Sequence, residues 1–476
     1  MGNTVPYGKR RHFAVRPAAS PGPPELAGSF VPASLLHTLA QLQAGHLAGV
    51  TRLDLAEGLT EFPREIFDLA DTLEVLNLSG NALTSLPDDL PRLHRLQVLF
   101  CSDNPFTELP AVLGECPRLT MIGFKANKIR RVPAAALPPK LRWLILTDNE
   151  IEELPPEIGH CPDLQKLMLA GNRLTALPPT LARCQRLELL RLAANQLREL
   201  PAWLLTLPAL TWLAYAGNPL SAAAEAAASA RHPVAPIAWS SLALEQQLGE
   251  GASGVIYRAA WHREAAVPTE VAVKLFKGAV TSDGLPHCEM LACRGAGPHP
   301  HLIAVHGQVA GHPAGTEALV LDLLDPAYHI LAGPPSLASC TRDVYAPGTA
   351  LPVPVALRIA LGVAEAAAHL HAQGILHGDL YAHNTLRTAA GEALLSDFGA
   401  ASFFDPAGPE AQPLQQLESR AVGVLLAELL AHCPAATGEL RAGWQALAAA
   451  CQQPEASARP LAAAVAAALS GWLAGA

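Results

Sequence analysis

The chain has 476 residues, half of them hydrophobic and only 16% charged, with a net charge of −9 and a mean hydropathy of +0.22. That composition excludes a disordered chain and a secreted disulfide scaffold, and the acidic balance argues against nucleic acid as the main partner. The longest apolar run, Leu461–Ala476, has 16 residues, short of the ~20 that cross a bilayer, so no membrane span is expected. In chain order, residues 1–34 are a Pro-rich segment without the apolar stretch of a signal peptide. Nine cysteines in no framework spacing fit a reducing, cytoplasmic compartment. Leu35, Leu36, Leu39 and Leu42 fall at helical spacing and predict a helical cap over residues 35–49.

An internal repeat follows. Asn81, Asn104, Asn127, Asn149, Asn172, Asn195 and Asn218 stand 23, 23, 22, 23, 23 and 23 residues apart. Around them recurs one frame, as in Leu73, Leu76, Leu78, Asn81, Leu83, Leu86 and Pro87. This pattern resembles the leucine-rich repeat family, over residues 35–225, and implies an α/β solenoid of about eight repeats. Each unit buries its apolar edge only against its neighbours. The Asn carries both a donor and an acceptor for the backbone of adjacent turns. Cys116, Cys161 and Cys184 share one repeat position and read as small core hydrophobes rather than as a metal site.

The side chains flanking the inward leucines include Phe100, Met121, Trp143, Ile145, Met168 and Trp212. So apolar a concave face predicts a docking surface, for a hydrophobic peptide, a partner protein or the chain's own second domain. An alanine tract at 221–230 predicts a closing helix, and residues 226–240, with two prolines, read as a linker.

The second half carries chemistry. Leu248-Gly249-Glu250-Gly251-Ala252-Ser253-Gly254-Val255 is followed by Val271-Ala272-Val273-Lys274, then His377-Gly378-Asp379-Leu380-Tyr381-Ala382-His383-Asn384, then Ser396-Asp397-Phe398-Gly399. Four elements in this order resemble the protein kinase family, over residues 241–474, and imply an α+β bilobal domain that uses ATP and Mg2+. By that resemblance Gly249, Gly251 and Gly254 approach the ATP phosphates, and Lys274 holds them with Glu289 as its partner. Asp379 takes the proton of the acceptor hydroxyl. Asn384 and Asp397 ligate the metal. Leu248, Val255, Ala272 and Leu386 sandwich the adenine, whose edge meets the backbone of the stretch containing Asp322 and Leu324.

The departures from the family pattern are specific. Gly378 replaces the Arg that reads an activation-loop phosphate, and the segment Asp397–Glu418 is short and has no Ala-Pro-Glu motif. Tyr381 stands where serine/threonine kinases carry a Lys near the γ-phosphate. Glu418 takes the place of a helix Asp, and Arg459 has no identifiable Glu partner. The expected function is a serine/threonine protein kinase with a protein-binding repeat module. The alternatives are an ATP-binding pseudokinase scaffold and a small-molecule phosphotransferase. His287, Cys288, Cys293, His299 and His301 resemble a zinc set, but two cysteines five apart do not share a helix face.

Overall fold

The computed structural model describes residues 37–475 apart from 232, 234, 252, 264–266 and 279. The Pro-rich segment 1–34, Leu35 and Leu36 of the expected cap, and Ala252 of the glycine-rich stretch lie outside them. The remainder of the cap is a short helix, α1 (Leu39–Gln43), opened by a capping box of Thr38 with Gln41.

Eight three-residue strands follow, β1 (Arg52–Asp54), β2 (Val75–Asn77), β3 (Val98–Phe100), β4 (Met121–Gly123), β5 (Trp143–Ile145), β6 (Lys166–Met168), β7 (Leu189–Arg191) and β8 (Trp212–Ala214). They pair in parallel and in sequence order. The central residue of each strand points inward, so Leu76, Leu99, Leu144, Leu167 and Leu190 are fully buried. The return segments are single 3₁₀ turns, most of them entered from a Pro such as Pro110, Pro155 or Pro201. The repeating Asn links three neighbouring turns. Asn149 Nδ2 donates to Phe124 O at 2.8 Å and Leu146 O at 3.0 Å, and its Oδ1 accepts from Ile129 N at 3.0 Å. The residue before each such Asn adopts positive φ, as Gly at 80, 171 and 217 and as Asp103, Ala126, Asp148 and Ala194 elsewhere. The cysteines of the repeats are buried and free. Burial pushes the Cys116 and Cys161 thiols up to about 11 and Cys184 up to about 12.

Of residues 226–240, expected as a linker, the described ones are instead built into the fold. They begin within α2 (Ala222–Arg231), whose Ala228 packs against Gly295. They end with β9 (Pro236–Ala238), which pairs in parallel with a strand of the second module. The upper lobe of that module is a six-stranded sheet in the order β10-β11-β12-β14-β13-β9, from β10 (Leu242–Glu250), β11 (Gly254–Trp261), β12 (Thr269–Phe276), β13 (Val305–Ala310) and β14 (Ala318–Asp322), with α3 (Pro286–Ala296) against it. The lower lobe holds α4 (Val353–Ala372), α5 (Ala411–Ala431), α6 (Gly438–Cys451) and α7 (Ala462–Ala474). Small ladders β15 (His329–Ile330), β17 (Thr385–Arg387) and β18 (Ala393–Leu395) form one sheet, and β16 (Ile375–Leu376) pairs with β19 (Ser402–Phe403). By length and composition α4 could cross a bilayer, a segment the apolar-run argument overlooked. In the fold it packs against α5 and α7, and Ala360, Val363, Ala367 and Leu370 are buried in the lobe core.

The two modules share their apolar cores. Leu213 and Tyr215 of the solenoid belong to one buried cluster with Leu376, Phe404, Leu414 and Leu417. The concave residues Phe100, Met121, Trp143, Ile145, Met168 and Trp212 belong to another, with Leu380, Tyr381, Phe398 and α4. The face expected as a docking surface is docked, and of the three foreseen occupants it holds the chain's own second domain.

Candidate active site

Lys274 sits on β12 and is turned toward α3, where its Nζ pairs with Glu289 Oε1. Burial disfavours charge on Lys274, but Glu289 and Asp397 hold its pKa above the usual lysine value. Asp379 lies in the loop after β16. Its Oδ2 accepts from Asn384 Nδ2 at 2.8 Å, and its backbone N–H reaches His377 Nδ1 at 3.3 Å. His377 Nε2 in turn lies 3.0 Å from Ser396 O, and Ser396 N donates to Asn384 O at 2.9 Å. Asn384 and Asp397 therefore stand on adjoining backbone. Asp397 has φ +59, the left-handed conformation that a non-Gly residue holds only where its surroundings fix it. Its Oδ1 accepts from Gly399 N at 3.0 Å.

Ala272 and Lys274 share one face of the upper sheet with Ile256, which pairs with Lys274, whereas Val255, expected beside the adenine, pairs with Leu275 and points to the other face. Gly249 and Gly251 have open space where a Cβ would be, whereas a Cβ on Gly254 would come within 2.4 Å of Leu275 O. Only the third glycine is required by the protein's own packing. The other two put no side chain in the way of a ligand approaching the hairpin backbone, where the Gly251 N–H donates to Gly254 O at 2.9 Å. Leu248 is exposed, Val255 and Leu386 are half-buried and Ala272 is buried. Asp322 N donates to Ala304 O at 3.0 Å, its side chain meets His306 Nε2 at 2.7 Å, and Leu324 follows at the end of the strand. Apart from Val255, these positions fit ATP, and Asn384 with Asp397 supplies the hard oxygen donors that fit Mg2+. The five zinc-like residues disperse. His287 meets Glu317, His299 stacks on His369, His301 meets Glu365, and Cys288 is buried.

Residues 242–413 match the family model described as protein tyrosine and serine/threonine kinase, and residues 72–93 and 162–220 match leucine-rich repeat models. The chain joins leucine-rich repeats to a protein kinase domain. It is 30% identical over 179 residues to CBL-interacting protein kinase 22 of Oryza sativa subsp. japonica, covering 34% of this chain and 36% of that protein. It is 34% identical over 179 residues to serine/threonine-protein kinase PkaA of Streptomyces coelicolor, covering 35% and 30%. The chain thus spans about a third of the length of each. A leucine-rich repeat protein of Leptospira interrogans matches with 28% identity over 37% of this chain and 51% of its own, at a TM-score of 0.32.

The departures from the kinase pattern have structural reasons. Gly378 has φ +72, and a Cβ there would lie 2.3 Å from Ala400 O and 2.9 Å from Leu213 O. The solenoid backbone occupies the space that an Arg at 378 would need. Glu418 on α5 is buried. It accepts from Gly378 N at 2.6 Å and His377 N at 3.2 Å and meets His371 Nε2 at 2.8 Å, so it anchors the catalytic loop from below. Arg459 is also buried. Its guanidinium donates to Gln453 O at 2.7 Å and to Pro208 O of the solenoid at 2.9 Å. Tyr215 N donates to Ser402 Oγ at 2.8 Å, and Tyr215 Oη to Phe403 O at 3.1 Å. The solenoid's last turns thus hold the short segment after Asp-Phe-Gly.

The sequence reading missed four residues at this site. Arg191, at the end of β7, is 1% exposed and pairs through Nη2 with Asp379 Oδ1, through Nε with Asp283 at 2.8 Å, and through Nη1 with Gly378 O at 2.8 Å. Burial alone would raise the Asp379 carboxyl. Arg191, then His383 and His377, more than offset it and hold Asp379 below the usual carboxylate range. Lys166 on β6 lies over the Trp143 ring at 4.3 Å, and burial lowers its pKa to about 8. Asp283 comes from the turn before α3, and Asp343 holds His383 Nδ1 at 2.7 Å. The signal for the two cations was register. Lys166 and Arg191 occupy the strand positions of Trp143 and Ile145, so each is a charge set in an otherwise apolar stripe.

Proposed function

We propose that the chain is an ATP- and Mg2+-dependent protein kinase that phosphorylates a serine or threonine hydroxyl. The observation that supports this reading is the approach of Asp397 to the Lys274–Glu289 pair, with Asp379 bonded to Asn384 and Asn384 joined to the backbone beside Asp397. Lys274 would bind the α and β phosphates, Asn384 and Asp397 would hold magnesium, and Asp379 would orient the acceptor hydroxyl and take its proton. Bound magnesium neutralises phosphate charge as it develops. Nine free thiols among the described residues are in keeping with a reducing, cytoplasmic setting. The repeat module engages protein through its concave face, with the kinase domain as occupant. Engagement of a separate protein would fall to its other surfaces.

The test is γ-phosphate transfer by the purified chain, with magnesium and ATP, to protein acceptors, beside Asp379→Asn. The proposal expects transfer by the parent and at least ~100-fold less by the variant. Equal rates would end it. A second reading, a small-molecule acceptor, is favoured by the solenoid's position over the catalytic loop, where Asp379 is only 17% exposed. Transfer to small alcohols and not to proteins would select it.

A further inference from the structure

We propose that Arg191 is a positioning residue of the phosphotransfer site, the cation beside Asp379 that position 381 of the kinase domain lacks. The inference rests on the phosphotransferase reading. Phosphoryl transfer places negative charge next to the base, and positioned cations are the main protein contribution to such a step. Here position 381 is Tyr, and its ring is held away from that duty. It stacks on Trp212 at 4.0 Å between centroids, with the planes 9° apart. The guanidinium of Arg191 enters the same space from the solenoid. One donor fixes Asp379 Oδ1, while Asn384 fixes Oδ2, so both carboxylate oxygens are oriented. The contacts to Gly378 O and Asp283 fix the guanidinium in turn.

The alternative is that the solenoid is a removable cover. The packing argues against it. Leu213 and Tyr215 share a core with Leu376, Phe404, Leu414 and Leu417, and Arg459 donates into the solenoid backbone. Opening would break the lobe that holds the catalytic loop. The solenoid stands in for the missing activation-segment platform and carries its cation with it.

In the step served, the acceptor oxygen bonds the γ-phosphorus and the bond to the bridging oxygen breaks. ADP leaves with the electron pair, and the hydroxyl proton passes to Asp379. Arg191 keeps the Asp379 carboxylate aimed. The groups facing Asp379 are Arg191 and Lys166 from the solenoid, Asp283 from the turn before α3, and His377, Tyr381 and His383 from its own loop. Asp397 and Asp343 act on it through His383 and its neighbours.

The experiment compares the full chain with Arg191→Ala, Arg191→Lys and Asp379→Asn. It reads kcat and KM for ATP, with the unfolding midpoint of each variant as the folding control. The expected result is a fall in kcat of about 100-fold for Arg191→Ala with KM for ATP within about 2-fold, and partial recovery in Arg191→Lys. If Arg191→Ala is too unstable to assay, Arg191→Lys decides, by a lowered kcat at an unchanged KM for ATP. An unchanged or faster Arg191 variant, or one whose loss lies in KM for ATP rather than in kcat, overturns the inference while Asp379→Asn remains dead. A parent no faster than Asp379→Asn removes the phosphotransferase reading, and the inference with it.

Discussion

Trp212 of the last solenoid strand stacks flat on Tyr381 of the catalytic loop, 4.0 Å between ring centroids, and donates its Nε1–H to Leu380 O at 3.0 Å. A repeat residue and the loop that carries Asp379 are thus bound by a ring face and by a hydrogen bond. Trp212→Ala removes both and leaves a cavity. The expected cost is about 3–5 kcal/mol, read by denaturant titration, with faster amide exchange at Leu380 and Tyr381. A variant as stable as the parent, with the loop still protected, would contradict this.

Lys166 gives a prediction in pH. Burial lowers it to about 8 from 10.5. Below pH 8 it is charged in both folded and unfolded chains, and the fold bears the desolvation. Between about pH 8 and 10.5 the unfolded chain binds the extra proton, so this residue makes stability rise with pH across that window. Lys166→Met should therefore stabilise the protein near pH 7, by up to about 3 kcal/mol, and remove that rise. Unfolding midpoints at pH 7 and pH 9.5 check it.

Glu418, also held below its ordinary value, gives a slope of the same sign but stabilises the fold at pH 7. Burial would raise it, but His371, His377 and the Gly378 N–H hold it below the ordinary 4.5. Its contribution is present above that value and is lost as pH falls through the depressed pKa. Glu418→Gln turns an amide donor toward groups that need an acceptor. It should cost about 3–5 kcal/mol at pH 7 and flatten the acid side of the stability profile.

The shared core predicts the fate of the kinase segment alone. Expressed from residue 241, it would lose β9 from its sheet edge and expose Phe404, Leu414 and Leu417. It should aggregate or fail to unfold cooperatively. A soluble, monomeric segment with a sharp transition would show that the solenoid is dispensable to the fold.

The solenoid was legible because its repeat is local. A 23-residue period and a fixed Asn state the strand, the turn and the stacking partner in one stretch of chain. The pairings of Lys274 with Glu289 and of Asp379 with Asn384 were legible because Lys274, Asp379 and Asn384 sit in short motifs. What sequence could not supply was the pairing of distant surfaces. Arg191 and Asp379 are 188 positions apart, and nothing within either repeat or loop names the other. The clues were present as gaps. Gly378 and Tyr381 marked missing cations, the absent Ala-Pro-Glu motif marked a missing platform, and Lys166 and Arg191 marked charges without a local purpose. The supposed linker failed for a related reason. Two prolines suggested a break, yet Pro236 opens an edge strand beside Gln308, where a missing N–H is tolerated.

The central claim is that solenoid and kinase domain are one body with the solenoid built into the site. Calorimetry of the full chain with and without Mg2+ and ATP tests it most directly. The account predicts a single transition, shifted as a whole by the nucleotide, by about 2.7 kcal/mol at a hundredfold excess over Kd. Two separable transitions, with only one moved by nucleotide, would contradict it.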